Sequence, residues 1–171
     1  MLKRKNYLLL FQKYSNYIIN VNMINLRLKS SKKIVVYCAM SADVIHPGHI
    51  NILRIASRYG SVCVGILSDK AISKYKRLPI FNYKQRKIII KSISYVDKVI
   101  KQSSLDYTPN LKKIKPLYVI HGNDWKKGIQ KKVRQDVINL LKTWKGKLIE
   151  PKYKSGVSST IIKKRIVKKW S

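Results

Sequence analysis

From Lys33 onward, short apolar runs alternate with helix-length amphipathic segments, and this alternation constrains the fold of the 171-residue chain more than any other feature. The runs Ile34–Met40, Val62–Leu67, Lys98–Ile100 with Val96, Leu117–Ile120 and Leu148–Ile149 predict strands. Between them Gly48–Arg58, Tyr83–Ser94, Leu111–Lys115 and Gln130–Trp144 predict helices, with Ser158–Lys169 as a closing helix. Parallel strands need crossover connections, and these are usually helical. The pattern therefore predicts a three-layer, Rossmann-like α/β domain over residues 32–171, built on a central parallel sheet of about five strands with helices on both faces. In such a sheet, ligands bind at the carboxyl ends of the strands.

Composition narrows the class. A hydrophobic fraction of 45% suits a globular core, and no stretch approaches the roughly 18 consecutive apolar residues of a membrane span. Cys38 and Cys63 sit in separate apolar runs with no C-x-x-C pair, so buried reduced thiols and a cytoplasmic location are expected. The net charge is +31, from 38 basic and 7 acidic residues, and such a field attracts polyanions. Lysines dominate and are scattered over the chain, whereas base recognition favours arginine. We therefore expect no specific nucleic acid, only weak binding at low salt. Residues 1–31 form a basic, acid-free extension in which Tyr7, Phe11, Tyr14, Ile18 and Val21 share one helical face. A targeting or membrane-surface helix would show this pattern, but the arginine and serine enrichment of a transit peptide is missing.

The residues able to carry chemistry follow the predicted strands. His46-Pro47-Gly48-His49 comes just after the first strand, where a helix beginning near Gly48 would turn both imidazoles toward one anion. Gly48 lets the backbone approach closely, and free N–H groups at a helix start favour negative charge. Ser158, Ser159 and Thr160 open the last predicted helix; an ordinary cap would explain that triplet alone. Asp106, Tyr107, Asp124 and Trp125 offer acids beside aromatics, suited to an ammonium group or to a turn and a core plug. His121 reads as a packed strand-end residue.

Asp43-Val44-Ile45-His46-Pro47-Gly48-His49 resembles the H-x-G-H signature of the cytidylyltransferase-like nucleotidyltransferases, and Gly156-Val157-Ser158-Ser159-Thr160 resembles their second signature, close to G-I-S-T-T. His121-Gly122-Asn123-Asp124-Trp125 is similar to their G-D-D-W stretch. Met40-Ser41-Ala42-Asp43, Tyr75-Lys76-Arg77-Leu78-Pro79 and Leu105-Asp106-Tyr107 resemble the branch associated with phosphoenolpyruvate mutase, whose members couple CTP to 2-aminoethylphosphonate. The resemblance implies CMP transfer from CTP to a small phosphonate or phosphate, release of pyrophosphate, a Mg2+ ion on the triphosphate, and a homodimer. It implies His46, His49 and Lys76 as catalytic residues. The nucleotide would be bound by Met40, Ser41, Ala42, Asp43, Gly48, His121, Gly122, Asp124, Gly156, Val157, Ser158, Ser159 and Thr160, and the acceptor by Asp106, Tyr107, Asp124 and Trp125.

Three positions depart from the family pattern: Asn123 for the first aspartate of G-D-D-W, Gln85 for an acid before Arg86, and Tyr153 for an arginine three before Gly156. The alternatives are a phosphocholine, phosphoethanolamine or glycerol 3-phosphate cytidylyltransferase, an adenylyltransferase, or a basic nucleotide- or nucleic-acid-binding module on the same fold.

Overall fold

β1, Val35–Met40, and β2, Ser61–Leu67, form the middle of the sheet and are buried almost without a break. Strands covered on both faces read as continuous apolar runs, so these two are the plainest in the sequence. The computed structural model describes residues 34–126, 128, 130–152 and 158–170. Tyr153, Gly156, Val157 and the extension 1–31, with its face from Tyr7 to Val21, lie outside the described residues. β3, Lys98–Gln102, β4, Tyr118–Ile120, and β5, Lys147–Ile149, complete a five-stranded sheet in the order β3-β2-β1-β4-β5, with every pairing parallel.

Alternate side chains of each strand point to opposite faces. On one face Val36, Cys38, Val62, Val64 and Ile66 meet Leu53 and Ala56 of α1, Pro47–Ser57, and Ile90 of α3, Tyr83–Lys91. On the other Tyr37, Ala39, Cys63 and Val119 meet Leu111 of α4, Thr108–Ile114, and Val137 and Leu141 of α5, Gln130–Lys142. Each fully buried aliphatic side chain contributes about 1.5–3 kcal/mol to holding the three layers together. Cys38 and Cys63 are free, buried thiols, and burial pushes the Cys38 thiol up to about 12. No helix among the described residues is long and apolar enough to cross a membrane.

The largest boundary differences from the sequence reading are three residues, at the end of α3 and the start of α4, and two short elements are new. α3 ends at Lys91 instead of Ser94, where Ser92 Oγ donates to the Ile88 carbonyl and three-residue turns lead into β3. α4 begins three residues early because Asp106 accepts the Thr108 N–H and Pro109 supplies a preset first turn. α2, Asp69–Ser73, and a 3₁₀ turn, Asn123–Lys126, are too short for apolar periodicity to register. The last helix, α6, spans Ser159–Trp170. Because the chain builds outward from β1 on both sides, the order reverses between β1 and β4. A crevice opens there at the carboxyl ends of the strands.

Candidate active site

The crevice is a cavity of about 560 Å³ that receives side chains from five segments distant in sequence. Met40 and Ser41 come from the end of β1, and His46, Gly48 and His49 from the start of α1. Tyr75 and Lys76 follow α2, and Tyr107 precedes α4. His121, Gly122 and Asp124 follow β4, and Ser158, Ser159 and Thr160 open α6. Thirteen of the residues singled out from the sequence thus share one cavity. Leu67, Leu105 and Gln130 line it as well. Leu105 belongs to the Leu105-Asp106-Tyr107 motif, whereas Leu67 and Gln130 carry no motif by which sequence reading could have found them.

His46 is the N-cap of α1, and its ring Nδ1 accepts the Gly48 N–H at 3.1 Å. A neutral ring accepting at Nδ1 keeps its proton on Nε2, so it has one N–H to donate. Burial lowers the pKa of His46. His49 lies one turn on, with the two ring centres 4.0 Å apart. Burial, then the neighbouring His46 ring and the Lys76 cation, press its pKa down to about 4. Its Nδ1 is buried and makes no hydrogen bond among the described residues. Both imidazoles are therefore neutral near pH 7, adding donors but no further positive charge to the cleft.

Lys76 donates to Ser41 Oγ at 2.9 Å, and burial lowers its pKa while Asp43 opposes the shift. Ser41 is in turn fixed by Arg86, whose guanidinium is fully buried. That group donates to the Ser41 carbonyl at 2.5 Å, to the Phe81 carbonyl at 2.9 Å and to the Asp69 carboxylate at 2.5 Å. Sequence reading noted Arg86 only for its neighbour Gln85. The available signal was that Arg86 shares the inward stripe of α3 with Ile90, four residues on. Gln85 itself completes a capping box with Asn82.

Four of the singled-out residues lie outside the cavity lining. Ala42 is fully buried with φ of 53°, turning the chain between Ser41 and Asp43. Asp43 is buried, accepts the Ile80 N–H at 2.6 Å and pairs with Lys163, so it ties the loop after Lys76 and helix α6 to the end of β1. Asp106 accepts the Thr108 N–H just ahead of α4, as described above. Trp125 is 1% exposed and donates its indole N–H to Glu150 at 2.8 Å.

On the β4 side, His121 stacks on Trp125 with ring centres 3.9 Å apart and planes at 13°, and Tyr107 leans on the same indole at 5.7 Å. His121 Nδ1 lies 2.8 Å from the Gly122 carbonyl, which only an N–H can satisfy. Burial lowers the pKa of His121 against the pull of Gly122, Asp124 and Glu150. At α6, Ser158 Oγ accepts the Ile161 N–H at 3.2 Å, and Ser159 donates to the Val44 carbonyl at 3.3 Å. The starts of α1 and α6 both reach the cavity, where their positive dipole ends favour a polyanion, while the Gly48 and His49 N–H groups at α1 are already taken by His46.

A family profile described as cytidylyltransferase-like matches residues 38–165. The chain is similar to an FAD synthase of Archaeoglobus fulgidus, 33% identical over 82 residues, which are 48% of this chain and 60% of that protein. It is also similar to the ethanolamine-phosphate cytidylyltransferase of Mus musculus, 34% identical over 91 residues, which are 52% of this chain and 22% of that one. The chain thus spans about three fifths or less of these curated relatives. Its fold is that of a lipopolysaccharide core biosynthesis protein from Thermoplasma volcanium, with a TM-score of 0.62 and 22% identity over 71% of this chain and 99% of that one. With the profile covering most of the compact unit Ile34–Ser171, this chain belongs to the cytidylyltransferase-like family.

Proposed function

We propose that this chain is a nucleotidyltransferase that moves CMP from CTP to a small phosphonate or phosphate monoester, 2-aminoethylphosphonate foremost. The observation that carries this reading is the convergence of His46, His49, Lys76 and the start of α6 on one cavity. An acceptor oxygen attacks the α-phosphorus in line, the bond to the bridging oxygen breaks, and pyrophosphate departs. A phosphonate dianion needs no base to attack, so catalysis rests on positioning and on neutralising charge. The triphosphate lies between the two helix starts, with His46 and His49 donating to it and Ser158 to Thr160 holding its outer phosphates. Lys76 bridges the α-phosphate and the acceptor. The rest of the nucleotide runs along His121, Gly122 and Asp124, and the acceptor sits by Tyr75 and Tyr107.

No group of three or more His, Cys, Asp or Glu side chains forms a metal site among the described residues. Asp124 supplies the cavity's carboxylate among them. That fits a Mg2+ ion carried mainly by the triphosphate and water, with Asp124 as its protein contact. The ion would neutralise triphosphate charge. A homodimer in the cytoplasm belongs to the same reading.

The likeness to FAD synthases favours adenylyl transfer as the second reading, since the product they are named for carries adenine. The test is pyrophosphate release from CTP or ATP with Mg2+ and each of 2-aminoethylphosphonate, phosphocholine, phosphoethanolamine and glycerol 3-phosphate. We expect CTP with 2-aminoethylphosphonate to be fastest, and His49→Ala to lower kcat by about 10²-fold or more. Release with no pair of substrates would overturn the enzyme reading.

A further inference from the structure

We propose that Glu150, which touches no cavity surface, is a positioning residue that sets the nucleotide-binding wall and thereby governs affinity for the nucleotide over that for the acceptor. This role rests on the reading above, in which the nucleotide lies along His121, Gly122 and Asp124. Glu150 is the chain's sole glutamate and follows β5 directly. Its carboxylate has three partners on two other elements. Oε1 accepts the Trp125 indole N–H at 2.8 Å and Arg134 Nε at 2.7 Å, while Oε2 accepts Arg134 Nη2 at 2.7 Å and lies 3.6 Å from Lys126 Nζ. Trp125 and Lys126 belong to the 3₁₀ turn after β4, and Arg134 to α5.

The consequence reaches the cavity through the indole. Trp125 is buried, so its N–H has no water to fall back on if Glu150 is lost. The His121 ring lies nearly flat on that indole, and Asp124 is the adjacent residue of the same turn. A turn or shift of Trp125 therefore displaces the two side chains of this wall that can meet a nucleotide. On the acceptor side Tyr107 also leans on the indole but is braced from behind by Tyr37 of β1, and Lys76 is held through Ser41 and Arg86 and shares no hydrogen bond with Glu150. A bidentate pairing to Arg134 adds direction as well as strength, which a lone hydrogen bond to the indole would lack.

The experiment compares wild type, Glu150→Ala and Glu150→Gln by calorimetric Kd for CTP and ATP, KM for nucleotide and acceptor, and kcat. For Glu150→Ala we expect the nucleotide Kd and KM to rise at least tenfold with the acceptor KM within twofold. Glu150→Gln keeps one oxygen for the indole and should rise about threefold. If Glu150→Ala fails to fold, Glu150→Gln carries the test alone. A nucleotide Kd left within a factor of about 1.5 in the folded variants overturns the role, and so does an equal rise in both KM values, the mark of general loosening. Wild type that binds neither CTP nor ATP overturns the nucleotidyltransfer reading itself. Wild-type binding that both variants leave intact overturns the role of Glu150 alone.

Discussion

Burial holds His49 at a pKa of about 4, whereas the same side chain in the unfolded chain titrates near 6.5. Between those values the unfolded state binds more protons, so stability rises with pH across the window and is lost as pH falls through it. Urea unfolding should show a decline from about pH 6.5 to pH 4 that His49→Gln reduces by at most about 3 kcal/mol. An unaltered slope in the variant would mean that the imidazole is not buried as described. Glu150 acts in a lower window, because Arg134 and the indole hold its carboxyl at about 2 against a depletion in the opposite sense by burial. Its contribution is complete above the ordinary carboxylate range and is lost progressively as pH falls from there to about 2. The histidine pair was legible because its geometry is local, two residues within one turn after a strand. Arg86 was not, since its three acceptors lie 45, 17 and 5 residues away.

Gly65 sits in the middle of β2, where glycine ordinarily weakens a strand. A Cβ there would lie 1.8 Å from the Tyr37 hydroxyl and 3.0 Å from Gln102 Oε1. The missing side chain makes room for a polar knot in which Tyr37 donates to Gln102 at 2.5 Å and accepts from Asn110 at 2.9 Å, joining β1, β3 and α4. Gly65→Ala should therefore cost about 2–4 kcal/mol in urea unfolding, from overpacking together with a broken buried hydrogen bond. A loss below about 0.5 kcal/mol would show that the knot moves aside freely. The central strands and long helices were readable because burial on one or two faces imposes a period on the sequence. The start of α4 and the whole of α2 were not, because each depends on one side-chain oxygen, Asp106 accepting the Thr108 N–H or Ser68 capping α2, that looks like any polar loop residue.

Across the whole molecule, a charge of +31 leaves few acids, and the structure uses them sparingly. Asp43, Asp69, Asp97, Asp106 and Glu150 each accept a hydrogen bond that fixes a loop, a strand edge or a helix start. The unneutralised remainder should draw a triphosphate toward the cavity from a distance. Raising ionic strength from about 0.02 to about 0.5 M should lower kcat/KM for the nucleotide several-fold and leave kcat nearly unchanged, as stopped assays over a salt series would show. A flat series would confine the charge to a solvated surface. By itself the sequence determined the parallel α/β sheet, the histidine pair at the start of α1 and the order of the segments that reach the cavity. These follow from strand and helix periods, which act over a few residues. Only the tertiary structure decided that Asp43 and Asp106 brace the fold outside the cavity, that Arg86 sets Ser41 and Lys76, and that Glu150 sets Trp125. Each of those roles depends on which distant groups the packed layers bring within about 3 Å, and no local period encodes that distance.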